Sequence, residues 1–405
     1  WLKPFTSLSA YCPVPYPLGE EVYLWVFAHI HIDTAMGSQS MQPSETTPIN
    51  TNKAPVEEET KSIMNIVLSG GAMIVASAGL INYNKYVITN AFPFAAHLVL
   101  CHMAFGSLCS IFLLVCVPSL YPSLTDPEKK VSVDMTTLFT RAAPISLFFA
   151  GSLVLSNFAY LFASVAFLQM MKQGNVVVVY VLSLLVGLET LRSRSVVLLA
   201  FILMCTCLTV QGEINFSLTG FAVQGGSQLL ECLRLILQSF LLSGSMKLDV
   251  LTYNLVVMPL CCVTLLATVM VNHFTDGALW SHSLTEPSMS DFTDHWMLLL
   301  PNFVLAFLLN VLIAVFIKCS SALSMVLTSL LKDVFIVVLS VILLGEVVSR
   351  QQVIGFVLQM VGIFIWSMNK TFPKHFEEGI FAGCYSVAKA FLFPPAQQAP
   401  EKLSA

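Results

Sequence analysis

Long apolar runs separated by short polar connections dominate the chain from residue 63 onward. Runs of spanning length fall near 63–83, 94–117, 139–162, 165–187, 195–211, 217–242, 250–273, 297–317, 321–344 and 352–369. A helix of about twenty apolar residues crosses the hydrocarbon core of a bilayer, so this pattern predicts about ten transmembrane helices. The stretch 142–188 would be about 70 Å long as one helix, so a turn is expected near Ala163 and Ser164.

Composition agrees with a membrane protein. Of the 405 residues, 56% are hydrophobic and 10% are charged, whereas a soluble domain carries about 25% charged residues. We therefore predict an all-α polytopic membrane protein. Residues 1–61 are polar and are predicted to form a disordered N-terminal tail, and 371–405 a cytosolic C-terminal tail. Within that C-terminal tail the mildly apolar segment 376–393 is interpreted as a stretch that lies along the membrane surface.

The distribution of positive charge predicts the orientation of the helices. An even number of crossings places both termini on one face, and that face would hold most of the 19 Lys and Arg residues. Among the cations in loops, only Arg350 would lie on the opposite face. The loop 275–295 on that face contains four carboxylates and neither Lys nor Arg. By the positive-inside rule both termini are expected in the cytosol.

Two lysines occupy matching places in the two halves of the chain. Lys172 is the only charged residue from 142 to 188, and Lys332 lies near the middle of 322–344, where Asp333 is the only other charge. Lys172 falls in the fourth predicted helix and Lys332 in the ninth, and each is followed by a similar exit, 185–194 and 343–350. Five-helix repeats must run in inverted orientation, so we predict one repeat over 62–211 and a second over 212–370.

An ammonium near the bilayer centre costs about 3 kcal/mol, and such residues commonly mark a ligand path. Lys172 and Lys332 are therefore the main candidates for holding a phosphate group, because an ammonium offers three donors and a full charge. The alternative is an internal salt bridge, in which Asp333 or Glu231 holds a lysine and no ligand is involved.

Further polar residues in the predicted helices divide into candidate ligands and candidate charge pairs. The candidate ligands are Lys85, Asn84, Tyr253, Asn254 and Asn310. Lys85 could instead reach the membrane interface, and the others could bond neighbouring helices.

Glu231 and Arg234 lie one helical turn apart and are predicted to pair. Asp333 is predicted either to hold a cation in the empty protein or to couple protons. The cysteines lack metal-ligand spacing and no cofactor or metal site is expected.

Several segments together resemble a known family, the triose-phosphate translocators and nucleotide-sugar transporters of the drug/metabolite transporter superfamily. They are Asn84-Lys85 at the end of the first helix, 164–172 ending in Lys172, 212–216 followed by Gly220-Phe221, and 331–333 leading to Gly345-Glu346. The resemblance covers about residues 62–370. Plastid translocators have Arg after the second lysine and a Tyr-Asn pair where this chain has Leu309-Asn310, so Asp333 makes the chain similar to the Lys-Asp subgroup of plant and protist homologues.

The resemblance implies a ten-helix antiporter that exchanges a phosphorylated sugar or nucleotide sugar for phosphate or a nucleoside monophosphate, with Lys172 and Lys332 on the transported phosphate. The rival hypothesis is a proton-coupled exporter of uncharged metabolites that uses Asp333 or Glu231. An enzyme is not expected, because no HExxH, GxSxG or GxxxxGK[ST] sequence occurs. The expected partners are the solute, its counter-substrate and the lipid bilayer, without nucleic acid, and a homodimer is left open. The Golgi or another endomembrane is favoured over the plastid envelope.

Overall fold

The computed structural model describes residues 54–127, 136, 138–242, 248–274, 286–320 and 322–392, and these contain helices and no strand. The predicted N-terminal tail, 1–61, therefore lies outside the described residues except for its last eight positions, which belong to the first helix. The helices are α1 (Ala54–Asn90), α2 (Ala95–Cys116), α3 (Ala143–Ala159), α4 (Val165–Lys172), α5 (Asn175–Leu185), α6 (Ser193–Gln211), α7 (Leu218–Leu242), α8 (Val250–Phe274), α9 (Met289–Cys319), α10 (Ala322–Leu344), α11 (Arg350–Thr371) and α12 (Ile380–Leu392).

Nine crossings in the described part of the chain are long and apolar enough to span a membrane, with α4 and α5 together forming one of them. The predicted all-α polytopic membrane protein is therefore confirmed. Helix α7 is not among the nine, although its 25 residues are long enough to cross. It carries buried polar side chains, including Gln224, Gln228 and Arg234. These polar side chains make α7 less apolar than its neighbours. Because they are buried inside the protein, α7 still belongs to the bundle.

The fourth crossing is a broken helix. The turn expected near Ala163 and Ser164 is present, and the Ser164 hydroxyl caps α4 by accepting a 3.1 Å hydrogen bond from the backbone N–H of Phe167. The helix then stops at Lys172 and restarts at Asn175. The sequence predicts a continuous helix here, so the break at residues 173–174 corrects that expectation. It places Lys172 at the end of a half-helix.

The crossings pack in recurring pairs. Helix α1 packs on α9 and α10, and α7 packs on α3 and α5. Helix α2 packs on α8, α6 packs on α11, and α4 packs on α10. Both connections that follow the broken fourth crossing and α10 contain a glycine with positive φ, Gly187 at 77° and Gly345 at 65°. Only glycine adopts this conformation readily, so both helices end in the same kind of turn.

The two ends of the bundle differ. At one end, the turn 160–164, the end of α1 and the connection 345–349 pack around a fully buried apolar core that includes Ile88, Phe92 and Phe167. We call this the sealed end. The other end includes the connection 186–192, the start of α6, the end of α11, the segment 372–379 and α12. It carries Arg192, Arg194, Lys370, Lys374 and Lys389 and is called the basic end.

Candidate functional site

A cavity of about 360 Å³ lies inside the bundle, between α1, α4, α5, α7, α9, α10 and α11. Five charged side chains line it, and all five are residues that the sequence singled out: Lys172, Glu231, Arg234, Lys332 and Asp333. The remaining wall is mostly apolar, with Phe316 and Leu330 among its members. The chain therefore brings its two matched lysines into one cavity from two different helices.

Lys172 presents an ammonium without a fixed partner. In the described part of the chain no hydrogen bond or ion pair joins it to another side chain, although Glu231 and Asp333 attract it and Lys332 repels it. Helix α5 begins at Asn175, and Asn175 and Val176 line the same cavity. The first N–H groups of a helix lack intrahelical partners and carry partial positive charge. At the break, the carbonyl end of α4 and the N–H end of α5 both lie beside the ammonium, and the N–H groups of Val177 and Val178 already bond to the carbonyl of Gly174.

Lys332 is paired with its sequence neighbour. Its Nζ lies 3.2 Å from Oδ1 of Asp333, and Oδ2 of Asp333 accepts a 2.9 Å hydrogen bond from Gln173. Adjacent residues on a helix start about 100° apart, but the long lysine side chain bends back to the carboxylate. The internal salt bridge that the sequence left open is thus formed by Lys332, whereas Lys172 forms none in the described residues.

Glu231 and Arg234 form the predicted pair on α7. Arg234 Nη2 lies 3.5 Å from Glu231 Oε1, and Nη1 donates a 2.9 Å hydrogen bond to Gln238. The guanidinium also lies over the ring of Phe149, 4.6 Å from its centroid. Among the described residues, Arg234 Nε and the side-chain amide nitrogen of Gln169 are buried donors with no acceptor. Both residues line the cavity, although these two nitrogen atoms are themselves buried.

Lys85 and Asn84 lie outside the cavity lining. The Lys85 ammonium donates to the backbone carbonyls of Tyr160 and Ala163, at 2.9 Å for the latter. Asn84 accepts a 2.8 Å hydrogen bond from Asn302 and donates to Asn157 at 3.4 Å. These side chains join α1 to α3 and α9, and their predicted role as ligands stays a prediction.

Tyr253, Asn254 and Asn310 also lie outside the cavity lining. The Tyr253 hydroxyl donates a 3.2 Å hydrogen bond to Gln238, which also accepts from Arg234, so Tyr253 adjoins the cavity through Gln238 and Arg234. Asn254 donates to Asn310 at 3.3 Å and joins α8 to α9. Binding of substrate by these three residues likewise stays a prediction.

The sealed end is closed by backbone contacts from two charged side chains. The carboxylate of Glu346 accepts hydrogen bonds from the backbone N–H groups of Val165 at 2.7 Å and Ala166 at 3.0 Å. A carboxylate at this position satisfies the first donors of α4 and complements the helix dipole. Lys85 binds the carbonyl groups of the same turn. The turn 160–164 is therefore held from both sides.

Sequence reasoning missed the uncharged polar residues of the cavity, chiefly Gln169, Gln173 and Asn175. A signal existed, because amides inside a membrane helix are costly and usually face an interior. Gln169 lies one helical turn before Lys172, so it shares the lysine's face. No group of three or more residues suited to hold a metal occurs among the residues that the structure describes.

Comparison with known proteins identifies a family of membrane transporters. The sequence model of the Triose-phosphate Transporter family matches residues 74–367. Three similar proteins are probable sugar phosphate/phosphate translocators of Arabidopsis thaliana. They are 30%, 29% and 28% identical over 312, 305 and 301 residues, which cover 75%, 73% and 73% of this chain and 87%, 84% and 81% of the relatives.

Proposed function

Because the chain belongs to the triose-phosphate transporter family, we propose that it is an antiporter that exchanges a phosphorylated sugar for phosphate through the central cavity. As a member of this family it is a transporter and not an enzyme. The observation that carries the proposal is the convergence of Lys172 and Lys332 on one cavity.

The size of the cavity favours a small solute. Small-molecule sites usually occupy about 300–1,000 Å³, so a cavity of about 360 Å³ lies at the lower limit. A sugar phosphate fits this volume better than a nucleotide sugar does. A nucleotide sugar exchanged for a nucleoside monophosphate is therefore the second choice for the transported pair.

The charges of the cavity suggest why transport would be an exchange. Within the described residues the fold gives Lys172 no ion-pair partner, and enclosing an unpaired ammonium in a closed bundle is costly. A phosphate on Lys172 would neutralise that charge, and it would compete with Asp333 for Lys332. We propose that only the loaded protein crosses easily between its two states, which makes exchange obligatory.

Alternating access would follow from two inverted repeats, 62–211 and 212–370. Helix packing supports this division. When each crossing of the first repeat is exchanged with the crossing at the same place in the second repeat, every pair of packed helices named above maps onto a packed pair. The matching turns at Gly187 and Gly345 support it as well. The structure would then represent the state that is closed at the sealed end, and the opposite state would release the contacts of Lys85 with the turn 160–164 and of Glu346 with the start of α4.

The concentration of Lys and Arg at the basic end supports cytosolic termini. The presence of Asp333 in place of the Arg of plastid translocators is the reason for proposing the Golgi or another endomembrane. The similar proteins reported above are plant proteins, and their names give no organelle.

Counterflow in liposomes tests the proposal. Vesicles that contain the purified protein are loaded with phosphate, single sugar phosphates or nucleoside monophosphates, and uptake of labelled solute is measured. Loading with phosphate or a sugar phosphate is expected to accelerate uptake. Lys172→Ala and Lys332→Ala should each abolish this acceleration, while Lys389→Ala on α12, outside the cavity, should retain it. Undiminished exchange in both cavity variants would refute the assignment.

Proton-coupled export of uncharged metabolites is the second candidate. It is favoured by the 6% exposure of Asp333 inside a membrane helix, since such a carboxylate can carry a proton. Uptake that follows a pH gradient and ignores trapped phosphate would support this function. Uptake that follows trapped phosphate at equal pH would support exchange.

A further inference from the structure

A second cavity, of about 540 Å³, lies at the basic end. It is formed where α6 begins and where the chain leaves α11, and it shares no lining residue with the transport cavity. Its charged lining residues are Arg192, Arg194, Lys374 and Glu377. The lining side chains comprise three cations and one carboxylate, and Arg194 Nη2 donates a hydrogen bond to the backbone carbonyl of Glu377, which leaves its other guanidinium N–H groups for a ligand.

The start of α6 adds donors that suit an anion. Helix α6 begins at Ser193, and no side chain caps its N-terminus. The first N–H groups of a helix have no intrahelical partner and attract anions such as phosphate. Ser195, in this first turn, lines the cavity, is 1% exposed, and its hydroxyl has no hydrogen-bond partner among the described residues. A buried hydroxyl without a partner is a separate indication that a polar group belongs in the cavity.

The surroundings of the cavity indicate that the anion is attached to a lipid. Leu191 lines the cavity and is 73% exposed, and it continues into the exposed apolar side chains of α6 such as Val197. Nearby, α12 buries Val387 against Phe376 and leaves Phe381 and Tyr385, one turn apart, 92% and 71% exposed. Aromatic residues on one face of a surface helix are typical of the membrane interface. The cavity therefore opens beside a surface suited to lipid.

We propose that this cavity binds the phosphomonoester headgroup of an anionic phospholipid in the leaflet at the basic end. A planar guanidinium binds phosphate oxygens in pairs, and Lys374 and the α6 N-terminus supply further positive charge. Free phosphate shares the headgroup chemistry, but it would gain nothing from Leu191 or from the aromatic face of α12. The assignment does not depend on which solute the protein transports.

Binding of short-chain lipids to the purified full chain tests this site. We expect a short-chain phosphatidylinositol phosphate to bind at least tenfold more tightly than short-chain phosphatidylcholine, soluble inositol phosphate or inorganic phosphate. Each basic residue near a membrane surface contributes about fivefold to affinity. The combined variant Arg192→Gln, Arg194→Gln, Lys374→Gln should thus lose at least about tenfold in affinity, whereas Arg350→Gln at the start of α11, at the opposite end of the bundle, should bind as the unaltered protein does.

A gain in affinity provides a test that does not depend on the folding of the triple variant. Glu377→Gln removes the carboxylate from the lining and should tighten lipid binding several-fold, and raising the salt concentration should weaken binding by the unaltered protein. Equal lipid affinity in the triple variant and the unaltered protein would overturn the proposal. So would soluble inositol phosphate that binds as tightly as the lipid, or loss of lipid binding in Lys172→Ala, which would place the lipid in the transport cavity.

Discussion

The sealed end and the central cavity differ in whether a buried lysine has a bonding partner within the protein. At the sealed end, Lys85 donates to two backbone carbonyls and Glu346 accepts from two backbone N–H groups. In the cavity, Lys172 has no such partner within the described residues, and donors of Gln169 and Arg234 are unused. All these groups are costly inside a membrane. What separates Lys172 from the other charges of the cavity is that the fold supplies no ion-pair partner for it within the described residues.

The basic end contains the clearest case of a charge whose partner comes from the fold. Lys370 Nζ lies 2.6 Å from Glu189 Oε1, and the two side chains are 8% and 1% exposed. Removing one partner of a buried pair leaves an uncompensated charge, which costs about 3–5 kcal/mol of stability. We expect Lys370→Met and Glu189→Leu each to lower the thermal unfolding temperature in detergent strongly.

The double variant is the control for this prediction. Replacing both partners by apolar residues removes the desolvation cost along with the attraction. Lys370→Met combined with Glu189→Leu should therefore be clearly more stable than either single variant. A double variant as unstable as the sum of the two singles would show that the pair does not act as a unit.

A crossed test of two lysines addresses the comparison most directly. Losing one partner of a desolvated charge contact costs about 2–5 kcal/mol. If Lys172 binds the solute, Lys172→Met should reduce exchange by about 100-fold and leave thermal stability unchanged or raised. Lys85→Met should have the opposite profile, with a clear loss of stability and less than tenfold loss of exchange.

Exchange in liposomes and thermal unfolding in detergent, measured on the same preparations, check both profiles. The conservative variants Lys172→Arg and Lys85→Arg keep the charge and serve as controls. If Lys172→Met lost stability in proportion to exchange, Lys172 would be a structural charge like Lys85. The distinction between the two regions would then fail.

The apolar runs and the isolated lysines predicted most of the fold and the charged part of the site. Helix positions follow from hydropathy because each crossing must be apolar along its length. The break after Lys172 was not predictable in this way, because Gly174 within an apolar run is compatible with both a continuous and an interrupted helix. The partners of Lys85 were also out of reach, since they are backbone carbonyls that lie 75 and 78 residues away. Composition reveals a buried charge, and only the packing reveals its partner.

Glu346 offers a smaller effect at the sealed end. Its carboxylate caps the first turn of α4, and loss of such a cap costs about 0.5–2 kcal/mol. We expect Glu346→Gln, which keeps the shape and loses the charge, to lower stability by about 1 kcal/mol. It should also make Ala163→Cys, in the turn beneath it, more reactive toward a membrane-impermeant thiol reagent applied from the sealed end.

The same cysteine in a protein with intact Glu346 is the reference, and Asp294→Asn, at an exposed carboxylate in the first turns of α9, is a control for the loss of charge. If the reactivity of the cysteine did not change, Glu346 would not hold the sealed end shut. The carboxylate would then act on stability alone.

The smallest expected effect concerns Asp333, which gives Lys332 a partner from the fold. Asp333→Asn retains a carbonyl for the hydrogen bond from Gln173 and removes the charge that competes with phosphate. Because the ion pair is partly screened and about 1 kcal/mol is typical of such contacts, phosphate should then inhibit counterflow at about one fifth of the concentration. Glu231→Gln, which removes the other cavity carboxylate, tests whether any loss of negative charge gives this result. Complete loss of transport in Asp333→Asn, together with loss of its response to a pH gradient, would instead show that Asp333 carries a proton during transport and does not act mainly as the partner of Lys332.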